Sequence, residues 1–222
     1  MKTKIHVISM QNELGQKRRT KLNYDYKWFK ASNPDKVLRH IKEHTTHYWN
    51  SPEKNRIGKE GCNDSYYRLI QHIITKKLSN IIIAEDDCFI KEKEYSIFLE
   101  NLPTELCYLN GKMVKNETSC KIYKDYPTEE NSMNSIDYNE CKIIGTWGIY
   151  VPHYSMLEPL WERISSHKQN KLRSIDVMIA KGQFINHYYY PSVFYCDDSG
   201  ESNIRNNKPF IYDNYNKIKK KI

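Results

Sequence analysis

The stretch Asn80-Ile81-Ile82-Ile83-Ala84-Glu85-Asp86-Asp87-Cys88 constrains this chain more than any other. Its β-branched run has the length and residue preference of a buried strand, and it stops on three consecutive carboxylates. Like charges this close raise one another's pKa unless a cation or a hydrogen-bond donor offsets them. The segment therefore calls for a counter-charge. A hard divalent ion such as magnesium or manganese would supply it through oxygen ligands; an acidic turn in solvent is the plain alternative.

Other segments place that strand in a fold. Ile5-His6-Val7-Ile8-Ser9-Met10 reads as a short buried strand, followed over residues 11–21 by a loop or basic helix. Residues 26–31 alternate as a second strand. Asn33-Pro34-Asp35 carries the cap and proline chemistry of a helix reaching about residue 49, on which His40, His44 and His47 share helical spacing. Gly58-Lys59-Glu60-Gly61 reads as a turn, and behind it Tyr66, Leu69, Ile70, Ile73 and Ile74 recur as the core face of a helix. A helix over 95–102 ends at Pro103, and a strand over 106–109 runs into the turn Asn110-Gly111. Residues 112–140 are polar and poorly periodic, which reads as a long excursion or lid. A strand over 143–151, helices over 153–166 and 175–180, and a strand over 188–195 complete the order. Strands alternating with helices predict an α/β single domain, with a mostly parallel central sheet flanked by helices. The domain is expected over 1–212, with 213–222 as a solvated basic tail.

At 222 residues the chain fits one domain with a real core. Only 39% is hydrophobic, but 18 tyrosines argue against disorder. A net charge of +8 points to an anionic partner: nucleic acid, an acidic membrane surface or a phosphorylated small molecule. Six cysteines without a CxxC pair exclude a zinc ribbon and a disulfide framework, and fit a reducing compartment. Met1-Lys2-Thr3-Lys4 leads into an apolar run too short for a signal peptide, and nothing later approaches a membrane span. A soluble, cytoplasmic protein is expected, with peripheral membrane association through its basic residues left open.

Ligands of such sheets bind beyond the carboxyl ends of strands, where the acidic triplet falls. There one carboxylate can hold a metal while another accepts hydrogen bonds from a ribose or sugar; nucleases and phosphatases use similar pairs. Further stretches narrow the choice. Ile5 to Ser9 followed by Arg18-Arg19, then Gly58-Lys59-Glu60-Gly61-Cys62-Asn63-Asp64-Ser65-Tyr66, Ile81 to Asp87, Gly145-Thr146-Trp147-Gly148-Ile149-Tyr150, Ser174-Ile175-Asp176, and Tyr190-Pro191-Ser192 through Ser202-Asn203-Ile204 succeed one another. In that order they resemble glycosyltransferase family 25, the lipopolysaccharide and collagen galactosyltransferase group. The chain departs from the family pattern at Ser9, where Asn is usual, at Lys59, where an acid is usual, and at Tyr66, where His is usual.

The resemblance implies a GT-A-like domain that moves a hexose from a nucleotide-diphosphate sugar, UDP-linked, to a hydroxyl on a glycan or protein, with inversion and with Mn2+ or Mg2+. It implies Asp87 and Glu85 as metal ligands, with Glu85 and Asp86 also toward the donor. It implies Arg18 and Arg19 at the diphosphate, Ser65 and Trp147 beside the donor, and Asp176 as the base that takes the acceptor's proton. Each has a plainer counterpart: a solvated basic turn for the arginines, a cap for Ser65 and Asp176, and core packing for Trp147 or Tyr150. His153 and His187 are minor candidates as further ligands. Two other readings stand beside this one, a metal-dependent nuclease or nucleic-acid-binding domain and a sugar-nucleotide-binding relic without turnover.

Overall fold

In the computed structural model, which describes residues 3–32, 53–115, 129–166, 174–197, 210–213 and 217–220, the chain opens with β1 (Lys4–Ser9), α1 (Glu13–Arg19) and β2 (Lys27–Lys30). Next come α2 (Glu53–Thr75), β3 (Ile81–Glu85), β4 (Cys88–Ile90), α3 (Glu92–Glu100), β5 (Cys107–Tyr108) and β6 (Lys112–Lys115). After them run β7 (Ser132–Ser135), β8 (Cys141–Ile144), β9 (Ile149–Val151), a 3-10 turn (Tyr154–Leu157), α4 (Glu158–Ser166) and α5 (Ile175–Gly182). The last strands are β10 (His187–Tyr190), β11 (Phe194–Asp197), β12 (Phe210–Asp213) and β13 (Lys217–Lys220).

The expected α/β class is the one found. A seven-stranded sheet runs in the order β2-β1-β3-β9-β5-β10-β7. β1 pairs in parallel with β2 and β3, and β5 with β10; β9 and β7 join antiparallel, so the sheet is mixed. A second sheet, β13-β12-β11-β4, and the ribbon β6-β8 pack around it.

Pleating divides the central strands between two cores. Ile81 and Ile83 of β3 and Ile8 of β1 join one core with Tyr66, Leu69, Ile70 and Ile73 of α2 and residues of α4 and α5. Ile82, Ala84, Ile5 and Val7 face the other, formed with Phe98 of α3 and Cys88, Phe194 and Cys196 of the second sheet. Burial on both faces explains why β3 reads as an unbroken apolar run. It also assigns sides to the acids that follow: Glu85 continues the α2 side, and Asp86 continues the side of Val7 and Ser9.

The structure corrects several expected boundaries. Gly58-Lys59-Glu60-Gly61 lies inside α2 rather than in a turn, because tertiary packing of the apolar face carries the helix through both glycines. The strand expected over 143–151 is two strands in different sheets, divided at Gly145 (φ +98°) and Gly148 (φ +131°), whose conformations lie outside the strand region. A Cβ on Gly148 would also press on Phe194 and Leu109. The strand expected over 188–195 likewise divides into β10 and β11, across a cis Tyr190–Pro191 bond. Within the expected excursion 112–140, β6 and β7 are regular strands, and Lys217–Lys220 of the expected tail pairs with β12. The sequences of β7 and β13 are mostly polar, and the buried pair Met113-Val114 of β6 is too short an apolar run to mark a strand. The helix with His40, His44 and His47, and Ser202-Asn203-Ile204, lie outside the described residues.

Full burial of a side chain such as Ile82 contributes about 1.5–3 kcal/mol. Ile82→Ala adds a cavity between two sheets and should cost about 2–5 kcal/mol in urea unfolding. His6 is buried beside His72, its Nε2 lacks a hydrogen-bond partner, and its pKa is lowered to about 4 by burial and then by the charges of Lys27 and His72. The unfolded chain therefore takes up a proton that the folded chain refuses as pH falls from about 6.5 to about 4. Stability present above that window should decline through it, and thermal unfolding of His6→Gln should show a shallower decline.

Candidate active site

Local sequence builds a cradle at the carboxyl end of β1 and β3. Asn12 caps α1 by accepting the Gly15 N–H at 2.8 Å, Glu13 occupies the first turn, and Lys17, Arg18 and Arg19 fill the last, as the helix dipole favours. This short helix delivers both arginines beside Ser9. Arg18 Nη1 donates to Asp86 Oδ1 at 3.0 Å, and Ser9 Oγ donates to Asp86 Oδ2 at 2.6 Å, so both oxygens of Asp86 are engaged. Arg19 Nη1 donates to Ser9 Oγ (2.7 Å) and Met10 O (2.6 Å), while its guanidinium lies 4.1 Å from the Trp28 ring centroid.

Glu85 faces the other way. Its Oε1 accepts from Thr146 Oγ1 at 2.5 Å and from Tyr66 OH at 3.2 Å, and Tyr66 OH lies 3.0 Å from Thr146 O. Burial, then the charge of Asp87, pushes its pKa up to about 8, against the opposing pull of the two hydroxyls. Asp87 occupies the turn between β3 and β4, where Cys88 Sγ donates to its Oδ1 at 3.6 Å and its backbone oxygen accepts from Asp197 N at 2.9 Å. Carboxylate oxygens of Glu85 and Asp87 are hard donors suited to magnesium or manganese.

Asp176 sits in the first turn of α5, after Ser174 at the N-cap position, and its Oδ1 accepts the Val177 N–H at 2.8 Å. Desolvation raises the pKa of the half-buried Cys62 thiol, and the carboxyl groups of Glu85, Asp176 and Asp87 add to that rise.

Other expected site residues are placed differently. Ser65 is mid-helix and buried, donating to Gly61 O and accepting from Ser32 N at 2.8 Å, so it ties α2 to the end of β2. Trp147 is buried with Ala84 and Phe194, its ring against Gly145, and Tyr150 is buried with its hydroxyl on Asn80 Oδ1 at 2.8 Å. His153 binds Ser155 at the start of the 3-10 turn. His187 begins β10, at the end of the sheet opposite Glu85. Sequence reasoning missed the clamp of Tyr66 and Thr146 on Glu85 and the pairing of Ser9 with Asp86. Its one signal was that Ser9 and Tyr66 both depart from the family pattern.

The model of glycosyltransferase family 25 (LPS biosynthesis protein) matches residues 2–151, from β1 through β9. The chain belongs to glycosyltransferase family 25. It is a glycosyltransferase, and its mixed sheet with flanking helices is consistent with a GT-A-like fold. Ser9, Arg18, Tyr66, Glu85–Asp87 and Thr146 fall within the match; Asp176 and Cys196 lie beyond it. No curated protein matches the chain. Among the described residues, no helix is long and apolar enough to cross a membrane.

Removing one partner of the Arg18–Asp86 pair, whose side chains are 20% and 10% exposed, leaves a charge poorly solvated. Arg18→Ala should cost about 1–3 kcal/mol in chemical denaturation. In a double-mutant cycle with Asp86→Ala the two losses should be less than additive.

Proposed function

We propose that this transferase moves a hexose from a UDP-linked donor to a hydroxyl of a glycan or protein acceptor, with inversion at the anomeric carbon. The observation that supports it most is the differential handling of the triplet: Asp86 is neutralised by Arg18 and Ser9, Glu85 is held by two hydroxyls, and Asp87 stands at the turn between them. Asp87 and Glu85 would hold a magnesium or manganese ion, which when bound supplies electrostatic stabilisation of the departing diphosphate.

The chain's own residues do the rest. Tyr66 and Thr146 fix the Glu85 carboxyl, which would also accept from a hydroxyl of the donor. Arg18 keeps Asp86 from adding its full charge where a diphosphate must approach, and with Arg19 sets the basic rim on the donor side. Asp176 accepts the proton of the acceptor hydroxyl as its oxygen bonds to the anomeric carbon, while the bond to the diphosphate oxygen breaks and its electron pair leaves with the diphosphate. Inversion requires this base on the face opposite the leaving group. The +8 charge suits an anionic donor.

A panel of sugar nucleotides with manganese and glycan acceptors tests the reading. One UDP-sugar should be hydrolysed or transferred. Asp87→Asn and Asp176→Asn should each lower kcat by at least about 100-fold, the scale of general base or electrostatic contributions. Full activity in either variant would remove that residue from its assigned role, and retention of configuration in the product would reject Asp176 as base.

A further inference from the structure

Behind the acidic turn lie two thiols that the transfer reaction does not use. Cys88 opens β4 and Cys196 stands opposite it in the antiparallel ladder with β11, both buried. Their sulfurs and a carboxylate oxygen of Asp87 all lie within 4.8 Å of one another, with Cys88 Sγ 3.6 Å from Asp87 Oδ1. In a tetrahedral zinc site, bonds of about 2.3 Å to sulfur and about 2.0–2.2 Å to oxygen put sulfur about 3.5 Å from oxygen and two sulfurs about 3.8 Å apart. The Cys88–Asp87 edge already has about that length, and the remaining edges, all within 4.8 Å, need closing by roughly 1.3 Å at most. Both cysteines are free thiols, so both sulfurs are available as ligands.

We propose that Asp87, Cys88 and Cys196 form a binding site for a thiophilic divalent cation of the zinc class, separate in ligand chemistry from the oxygen-only pair Glu85 and Asp87. Thiolates favour zinc, cadmium or cobalt over magnesium and manganese. On entry the two thiol protons pass to solvent, and the fourth coordination position is left to water on the Asp87 side. Because Asp87 belongs to both sets, zinc is an inhibitor of transfer. That consequence rests on the proposed role of Asp87, whereas the binding does not.

Cobalt titrated into the phosphine-reduced full chain reads the site directly. One equivalent should give the visible bands of tetrahedral cobalt and a thiolate charge-transfer band, both removed by one equivalent of zinc. Cys88→Ser and Cys196→Ser should each weaken binding at least about 10-fold and diminish the thiolate band; Asp87→Asn should weaken binding similarly while keeping it. Cys62→Ser should change nothing. A thiolate band that survives both Cys88→Ser and Cys196→Ser, or one lost in Cys62→Ser, overturns the proposal, as does its absence from the folded wild type. Should the serine variants fail to fold, X-ray absorption of zinc-loaded wild type decides. Two sulfurs at about 2.3 Å support the site, and a shell of light atoms alone rejects it. These spectra do not depend on turnover, so a failed transfer assay leaves the site standing, and a missing thiolate band leaves the transferase reading intact.

Discussion

Three neighbouring carboxylates can end β3 because the pleat sends the first two to opposite faces of the sheet. At an effective dielectric of 20, two unit charges 4 Å apart repel by about 4 kcal/mol, a cost no marginally stable domain absorbs without compensation. Asp86, on the Ser9 side, meets a guanidinium and a hydroxyl. Glu85, on the α2 side, meets two hydroxyls in a buried setting that favours its neutral form up to a pH of about 8. Asp87 is left in the turn. The charge at this sheet end is therefore graded, and the grading follows from strand register rather than from local composition.

That arrangement couples distant segments. Ser9 joins β1 to β3 through Asp86 and is itself held by Arg19 of α1, while Trp28 of β2 donates to Ser9 O at 3.1 Å and stacks under the same arginine. The parallel trio β2-β1-β3 thus ends in one hydrogen-bonded unit, and the carboxylates enter any ligand-binding step already positioned. Preorganised donors of this kind need little rearrangement when charge develops.

Much of this was legible in residue order. Buried strands such as β1 and β3 announce themselves by β-branched runs, and the face of α2 by its spacing, because burial leaves an apolar record. The acidic triplet was legible as a site for the same reason, being charge where the pattern promised core. Strands β6, β7 and β13 were not, since β7 and β13 are mostly polar in sequence and β6 has only the apolar pair Met113-Val114. The split of 143–151 was hidden as well: Gly145 and Gly148 were visible, but their positive φ was not. Trp147 and Ser65 sit in motifs resembling the family's, yet pack inward, because the number of residues between two motifs does not say which way a side chain turns. The partner of Asp86 could not be read either, as the contact spans 68 residues to Arg18 and 77 to Ser9.

The second sheet ends on β13, whose sequence Lys217-Ile218-Lys219-Lys220 pairs along one side with β12. Among the described residues no strand pairs with the other side of β13, and an open strand edge is a template for pairing with another extended chain. Three of the four residues of β13 are lysines, the residue type with which natural sheets discourage pairing of a strand edge with another chain.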